Sequence, residues 1–241
     1  MRALAAIALT LTACEARVGG QVGDSDANPD PTDGPVIDPD TQPVCQKRQL
    51  FLSFEGETLT AGATSDAKVN VASWMSVASA TTPRYHTNQA DRLTDITIIV
   101  DEVTARLTPF AITVTTTRPV TGDYMMIVFG GNAAAVGSAF GFVQELDCGD
   151  LVRNDVAWAD DGFPDALIPN AVIGSIGFAI GLTATVDPTD CMCSWDNNCS
   201  QTTNNCQLHN GIARDPNANQ TCAGAPVVQD AIVELNTAFC N

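Results

Sequence analysis

Hydrophobic and polar positions change period several times along this chain, and each change predicts an element. Residues 49–54, QLFLSF, are a short apolar run closed by Glu55-Gly56 and read as a strand. A loop-rich stretch follows. Leu93, Ile96, Val100, Val103 and Leu107 then recur three or four positions apart, the spacing of one helix face, with Thr87 or Asn88 as the expected cap and Pro109 as the stop. Phe110, Ile112 and Val114 fall on alternate positions, with Thr113 and Thr115 between and after the last two, as a half-buried strand running towards Arg118-Pro119. Residues 124–129, YMMIVF, are apolar on both faces and end at Gly130-Gly131, which predicts a strand in mid-sheet. A short strand is expected at 156–159.

Residues 167–182, LIPNAVIGSIGFAIGL, are apolar all round except for Asn170 and Ser175, and predict a buried helix. Pro169 suits its first turn and Gly181 its end. Gly174, Gly177 and Gly181 each lower intrinsic helicity by about 1 kcal/mol relative to alanine, so packing must hold the segment helical. Val228, Ala231, Ile232, Leu235 and Phe239 share one face of an expected closing helix over 227–239.

The amino terminus follows another logic. Residues 1–14, MRALAAIALTLTAC, place one arginine before an apolar run of roughly 10 residues, half of what a bilayer span needs, which is the pattern of an export signal. Leu11-Thr12-Ala13-Cys14 resembles the lipobox of bacterial lipoproteins, in which the signal is cut before the cysteine and the cysteine is lipidated. That resemblance implies a signal peptide at 1–13, a lipid anchor on Cys14 and a location at the bacterial cell envelope; a plain secretory signal with an incidental cysteine is the alternative. Residues 15–44 are rich in Asp and Pro with little to bury, so 14–44 is expected to be an unfolded tether and 45–241 the folded domain.

Charge and cysteine usage narrow the field further. With 11 Lys and Arg against 28 Asp and Glu the net charge is -17, which repels nucleic acid. The expected partners are the membrane, through the anchor, and a protein or peptide ligand. Apart from Cys14, the chain holds Cys45, Cys148, Cys191, Cys193, Cys199, Cys206, Cys222 and Cys240, an even number that in an exported chain implies three or four disulfides. Cys45 and Cys240 are one suggested pair, because the ends of compact domains tend to lie close together. The stretch from Cys191 to Cys222 has few apolar residues and needs covalent staples in place of a core. A zinc ribbon on Cys191, Cys193, Cys199 and Cys206 is the competing reading, but the spacing lacks paired C-x2-C knuckles.

The order strand, helix, strand, strand and central helix, followed by GLTATVDPTDCM, resembles the catalytic domain of metzincin zinc metallopeptidases, in particular their matrixin-like bacterial relatives. In that family the central helix carries HExxHxxGxxH and is followed by a DPxDxM turn whose methionine lies beneath the zinc. Here Gly177 to Leu182, GFAIGL, is similar to the family's GHALGL, and Asp187-Pro188-Thr189-Asp190-Cys191-Met192 is similar to the turn, with Met192 as the Met-turn residue. LFLSFEG, PFAITVTTTRP and YMMIVFGG add to a likeness covering most of residues 49–192. It implies an α+β fold: a mixed twisted sheet packed against two main helices, with a disulfide-rich, mostly irregular carboxy-terminal part and a closing helix.

Carried over position by position, the zinc ligands fall on Gly174, Phe178 and Ala184, and the general base falls on Ser175. Glycine, phenylalanine and alanine side chains offer zinc no donor atom, and serine is no base at neutral pH. Only His86 and His209 are present, 123 positions apart and off the helix. The resemblance therefore implies a degenerate member without metal or other cofactor, acting as a binding or structural module. An active zinc metallopeptidase, or another hydrolase using unrecognised residues, is the alternative. A triad from Ser175 or Ser138 with either histidine lacks nucleophile-elbow spacing. Asp187, Asp190, Asp196, Asn197 and Asn198 offer oxygen atoms to calcium without the spacing of a known loop.

The anchor is directly testable. A Cys14→Ser variant should lose both acylation, read by mass spectrometry, and membrane association; a variant that stays acylated and membrane-bound would contradict lipidation at Cys14.

Overall fold

A computed structural model describes residues 48–193 and 199–240. Its centre is a mixed five-stranded sheet in the order β5-β1-β6-β8-β7, made of β1 (Arg48–Ser53), β5 (Ile112–Thr115), β6 (Tyr124–Phe129), β7 (Phe142–Val143) and β8 (Val156–Ala159). The first four of these in sheet order run parallel, and β7 pairs antiparallel with β8, Phe142 opposite Ala159 and Val143 opposite Trp158.

Strand periodicity divides the side chains between two cores. Leu50 and Leu52 of β1, Met125, Ile127 and Phe129 of β6, and Ala157 and Ala159 of β8 face one side. There they meet Ile99, Val103 and Leu107 of α1 (Arg92–Leu107) and the buried length of α3 (Ile168–Ala179). Phe51, Tyr124, Met126, Val128, Val156 and Trp158 face the other side. They are covered by a small three-stranded sheet of β2 (Thr58–Ala61), β3 (Val71–Ala72) and β4 (Ser79–Thr81), which contributes Leu59, Ala72 and the nearby Met75. This cover explains why YMMIVF is apolar at every position.

Several boundaries differ from the sequence expectation. The loop-rich stretch after residue 56 contains that second sheet, whose short strands carry no clear alternation. Thr87 and Asn88 do not cap α1: the Asp91 carbonyl receives the Thr94 and Asp95 amides, at 2.7 and 3.1 Å. Leu93 is exposed, and Arg92 is buried in its place, donating to the Tyr85 and Phe54 carbonyls at 2.6 and 2.9 Å. The closing helix α4 (Ala231–Cys240) begins four residues later than expected. Val228 belongs instead to β10 (Val228–Gln229), paired with β9 (Ile212–Ala213), and Ile232 lies at the edge of the buried face made by Ala231, Leu235 and Phe239. A short helix, α2 (Ala133–Val136), is capped by the Asn132 side chain, and a 3-10 turn at Asp165–Leu167 leads into α3.

The end of α3 fixes what lies beside it. Gly181, at φ +92°, donates to the Phe178 carbonyl and Leu182 donates to that of Gly177, a paired closure that needs a left-handed residue at Gly181. A Cβ on Gly181 would sit 3.1 Å from the Asp147 carbonyl oxygen.

Among the described residues, three disulfides tie the carboxy-terminal part: Cys148–Cys222, Cys191–Cys206 and Cys193–Cys199. Cys45, and with it the suggested Cys45–Cys240 pair, lies outside the described residues. By loop closure, the 74-residue separation of Cys148 and Cys222 should stabilise by about 4 kcal/mol and the six-residue separation of Cys193 and Cys199 by about 2 kcal/mol. In urea unfolding, the Cys148→Ser/Cys222→Ser chain should therefore lose roughly twice the stability of Cys193→Ser/Cys199→Ser; an equal or reversed order would contradict the long staple.

Candidate functional site

The candidate centre is the second half of α3 and the turn after it. Gly174, Ser175 and Phe178 lie on α3, Ala184 follows its closure, and all four are buried. Phe178 belongs to the main core together with Ile176, Ala179, Leu182 and Met192. Met192 lies directly against the helix: a Cβ on Gly177 would be 2.4 Å from its sulfur, so glycine is what lets the turn approach.

The turn is held by its own aspartates. Asp187 accepts from the Thr189 amide and hydroxyl at 2.8 and 2.7 Å, bonds that lower its pKa. Asp190 is fully buried and its pKa is raised by burial. Its carboxylate accepts from the Met192 amide at 2.8 Å and the His209 amide at 3.2 Å, with His209 Nδ1 also at 3.2 Å. Asp187 and Asp190, two of the three aspartates considered as calcium ligands, are thus engaged in folding the turn, and Asp196, Asn197 and Asn198 lie outside the described residues. The serine and histidine candidates are not brought together either. Ser138 Oγ donates to the Phe140 carbonyl, His86 lies between Asp95 and Asp165, and His209 is held by Asp190.

A buried polar chain, missed in the sequence, runs from Ser175 into the sheet. Ser175 Oγ is 3.5 Å from Gln144 Oε1, and Gln144 Nε2 is 3.5 Å from Asp155 Oδ1 and 2.9 Å from the Glu145 carbonyl. Asp155 Oδ2 makes no hydrogen bond and lies 4.0 Å from Arg48 Nη2. Arg48 is itself buried, with Nη1 on Asp150 at 2.6 Å and Nη2 on the Arg153 carbonyl at 2.9 Å. Burial, and then the like charge of Asp147, push Asp155 from the ordinary 3.8 up to about 8. The only sequence signal was an aspartate set directly before an apolar strand.

Beside α3 lies a groove of about 480 Å³ lined by Phe140, Phe142 of β7, Phe163, and Leu167 and Ala171 at the start of the helix. Ala171, Gly174, Ser175 and Phe178 recur at three- and four-residue spacing, so the groove opens at one end of the stripe that carries Gly174, Ser175 and Phe178. Phe142 and Phe163 meet edge to face at 5.6 Å. The three cysteines of the turn region that lie near this end, Cys191, Cys193 and Cys206, are all in disulfides, which leaves none of them as a thiolate ligand. No family model matches the chain, and no curated protein matches it.

The raised pKa of Asp155 has a signed consequence. Between about pH 4 and 8 the folded chain keeps a proton that the unfolded chain releases, so stability is greatest at the acidic end and falls as pH rises towards 8. Carboxylates with lowered pKa, such as Asp187, act below this window. Thermal unfolding should therefore show a melting temperature that drops by several degrees between pH 5 and pH 8.5, and Asp155→Asn should flatten the drop; an equally steep profile in the variant would show that Asp155 is not its source.

Proposed function

We propose that this chain is an exported lipoprotein of the bacterial cell envelope, anchored through Cys14, whose folded part is a metzincin-like domain kept as a binding module without catalysis. The reading is carried by one observation: the positions that would hold zinc are Gly174, Phe178 and Ala184, buried and without donor atoms, while a groove stays open beside them. Support for the family likeness comes from the order β1, α1, β5, β6, β8, α3 and from Met192 lying under Gly177, where the resembled helix meets its methionine turn. Phe178 takes the place of a ligand and adds to the core, as a site given over to packing requires.

The groove suits a peptide or protein ligand. Its aromatic and aliphatic walls take an apolar side chain, and β7 beside it stands last in the sheet order. The net charge of -17 argues against an anionic polymer as ligand and favours a neutral or basic partner.

A fluorescent library of unstructured peptides, read by anisotropy against the purified full chain, tests this function. Peptides with one large apolar side chain should bind, and Phe163→Ala should weaken them at least tenfold by removing one wall of the groove. Binding that is undiminished in Phe163→Ala, or absent for the wild type at millimolar peptide, would contradict the groove as the ligand site.

A further inference from the structure

We infer that His86 and Asp165 form a binding site for a divalent cation of the zinc type, with Asp95 orienting the imidazole. The site lies apart from the degenerate positions on α3 and does not depend on the function proposed above.

The argument rests on donors and acceptors. The His86 side chain is 3% exposed, and its two nitrogens face two carboxylates from different elements: Nδ1 is 3.2 Å from Asp95 Oδ2 on α1, and Nε2 is 3.6 Å from Asp165 Oδ1 before α3. Carboxylates only accept, so the Asp95 contact calls for a proton on Nδ1, and in the tautomer that carries it there the Nε2 lone pair is directed towards Asp165. Asp165 Oδ1 already accepts from the Tyr85 hydroxyl at 2.8 Å. A proton on Nε2 does not bridge the remaining gap, because 3.6 Å exceeds hydrogen-bond range. A metal ion does: bonds of about 2.0–2.2 Å in tetrahedral geometry place two ligand atoms roughly 3.3–3.6 Å apart. An imidazole that gives its other N–H to a carboxylate is also the usual setting of a metal-bound histidine.

The surroundings hold this arrangement in place. His86 has left-handed backbone at φ +48°, and its amide donates to Asp161 Oδ1 at 3.1 Å. The Tyr85 ring stacks on the imidazole at 3.9 Å. One nitrogen of His86 and one oxygen from each of Asp95 and Asp165 lie within 4.8 Å of one another. The groups facing the imidazole are thus Asp95 from α1, Asp165 from the segment before α3, and the Tyr85 ring, while Asp161 holds the His86 backbone amide. The nearby Arg84 and Arg92 are paired with Glu55 instead, at 2.6 and 2.8 Å. One nitrogen and carboxylate oxygen, completed by water, suit zinc or a similar borderline cation. Phe163 lies between Asp161 and Asp165, so a cation here would brace one wall of the groove.

Zinc binding to the full chain at pH 7.5, measured by calorimetry after chelator treatment and dialysis, should show one site of micromolar affinity. Asp165→Asn, at a partly exposed position, should weaken it at least tenfold, as should His86→Asn, whose asparagine accepts the left-handed backbone. His209→Gln should leave it unchanged. Nitrogen-15 NMR of the wild type reads the same site without a variant: zinc should shift the His86 Nε2 resonance while Nδ1 keeps its proton. Absence of uptake at millimolar zinc, uptake unaltered in Asp165→Asn, or an Nε2 that stays protonated in the presence of zinc would each overturn the site.

Discussion

The larger of the two cores in the described domain closes on α3, a helix buried over its whole length. A helix that shows no face to water must be packed on every side, and its glycines set how near the neighbours come. Gly177 admits Met192, and Gly181 admits the backbone at Asp147 to Gly149. These close approaches draw the Asp187–Met192 turn and the loop before β8 against one helix end. The disulfides Cys148–Cys222 and Cys191–Cys206 then secure those two segments, where apolar side chains are too few to do so.

Polar groups trapped by that closure are the second determinant. Burying Asp155 beside Arg48 is costly unless the charges are well paired, and the pairing is incomplete, with Asp155 Oδ2 and Arg48 Nε lacking hydrogen bonds. Burial raises the Asp155 pKa and favours its neutral carboxyl beside Asp147, Asp150, Arg48 and Arg153. Asp190 shows the opposite case: equally buried, it accepts from two backbone amides and organises the turn.

What was legible in the sequence follows the strength of local patterning. The strands at β1, β5, β6 and β8 and the buried helix were readable because each is a sustained apolar run bounded by Gly, Pro or a charged turn. The β2–β4 sheet was not, since its strands of two to four residues are too short to show a period. Leu93 misled because helix spacing alone does not reveal that Arg92 makes three buried or half-buried contacts at the same turn. For the site, the absence of zinc-binding side chains at 174, 178 and 184 could be read directly. The Ser175–Gln144–Asp155 chain and the His86 cluster could not, because they join residues 9 to 79 positions apart that only the tertiary fold brings together.

A packed α3 and the buried, donor-free side chains of Gly174, Phe178 and Ala184 bear on one question of chemistry, and proteolysis tests it most directly. The full chain, with and without added zinc and with and without chelator, should leave an unstructured protein such as casein uncleaved over many hours, even where zinc is bound elsewhere on the chain. Chelator-sensitive cleavage that survives Ser175→Ala and co-purifies with the chain would contradict that expectation and require a catalytic centre built from residues outside α3.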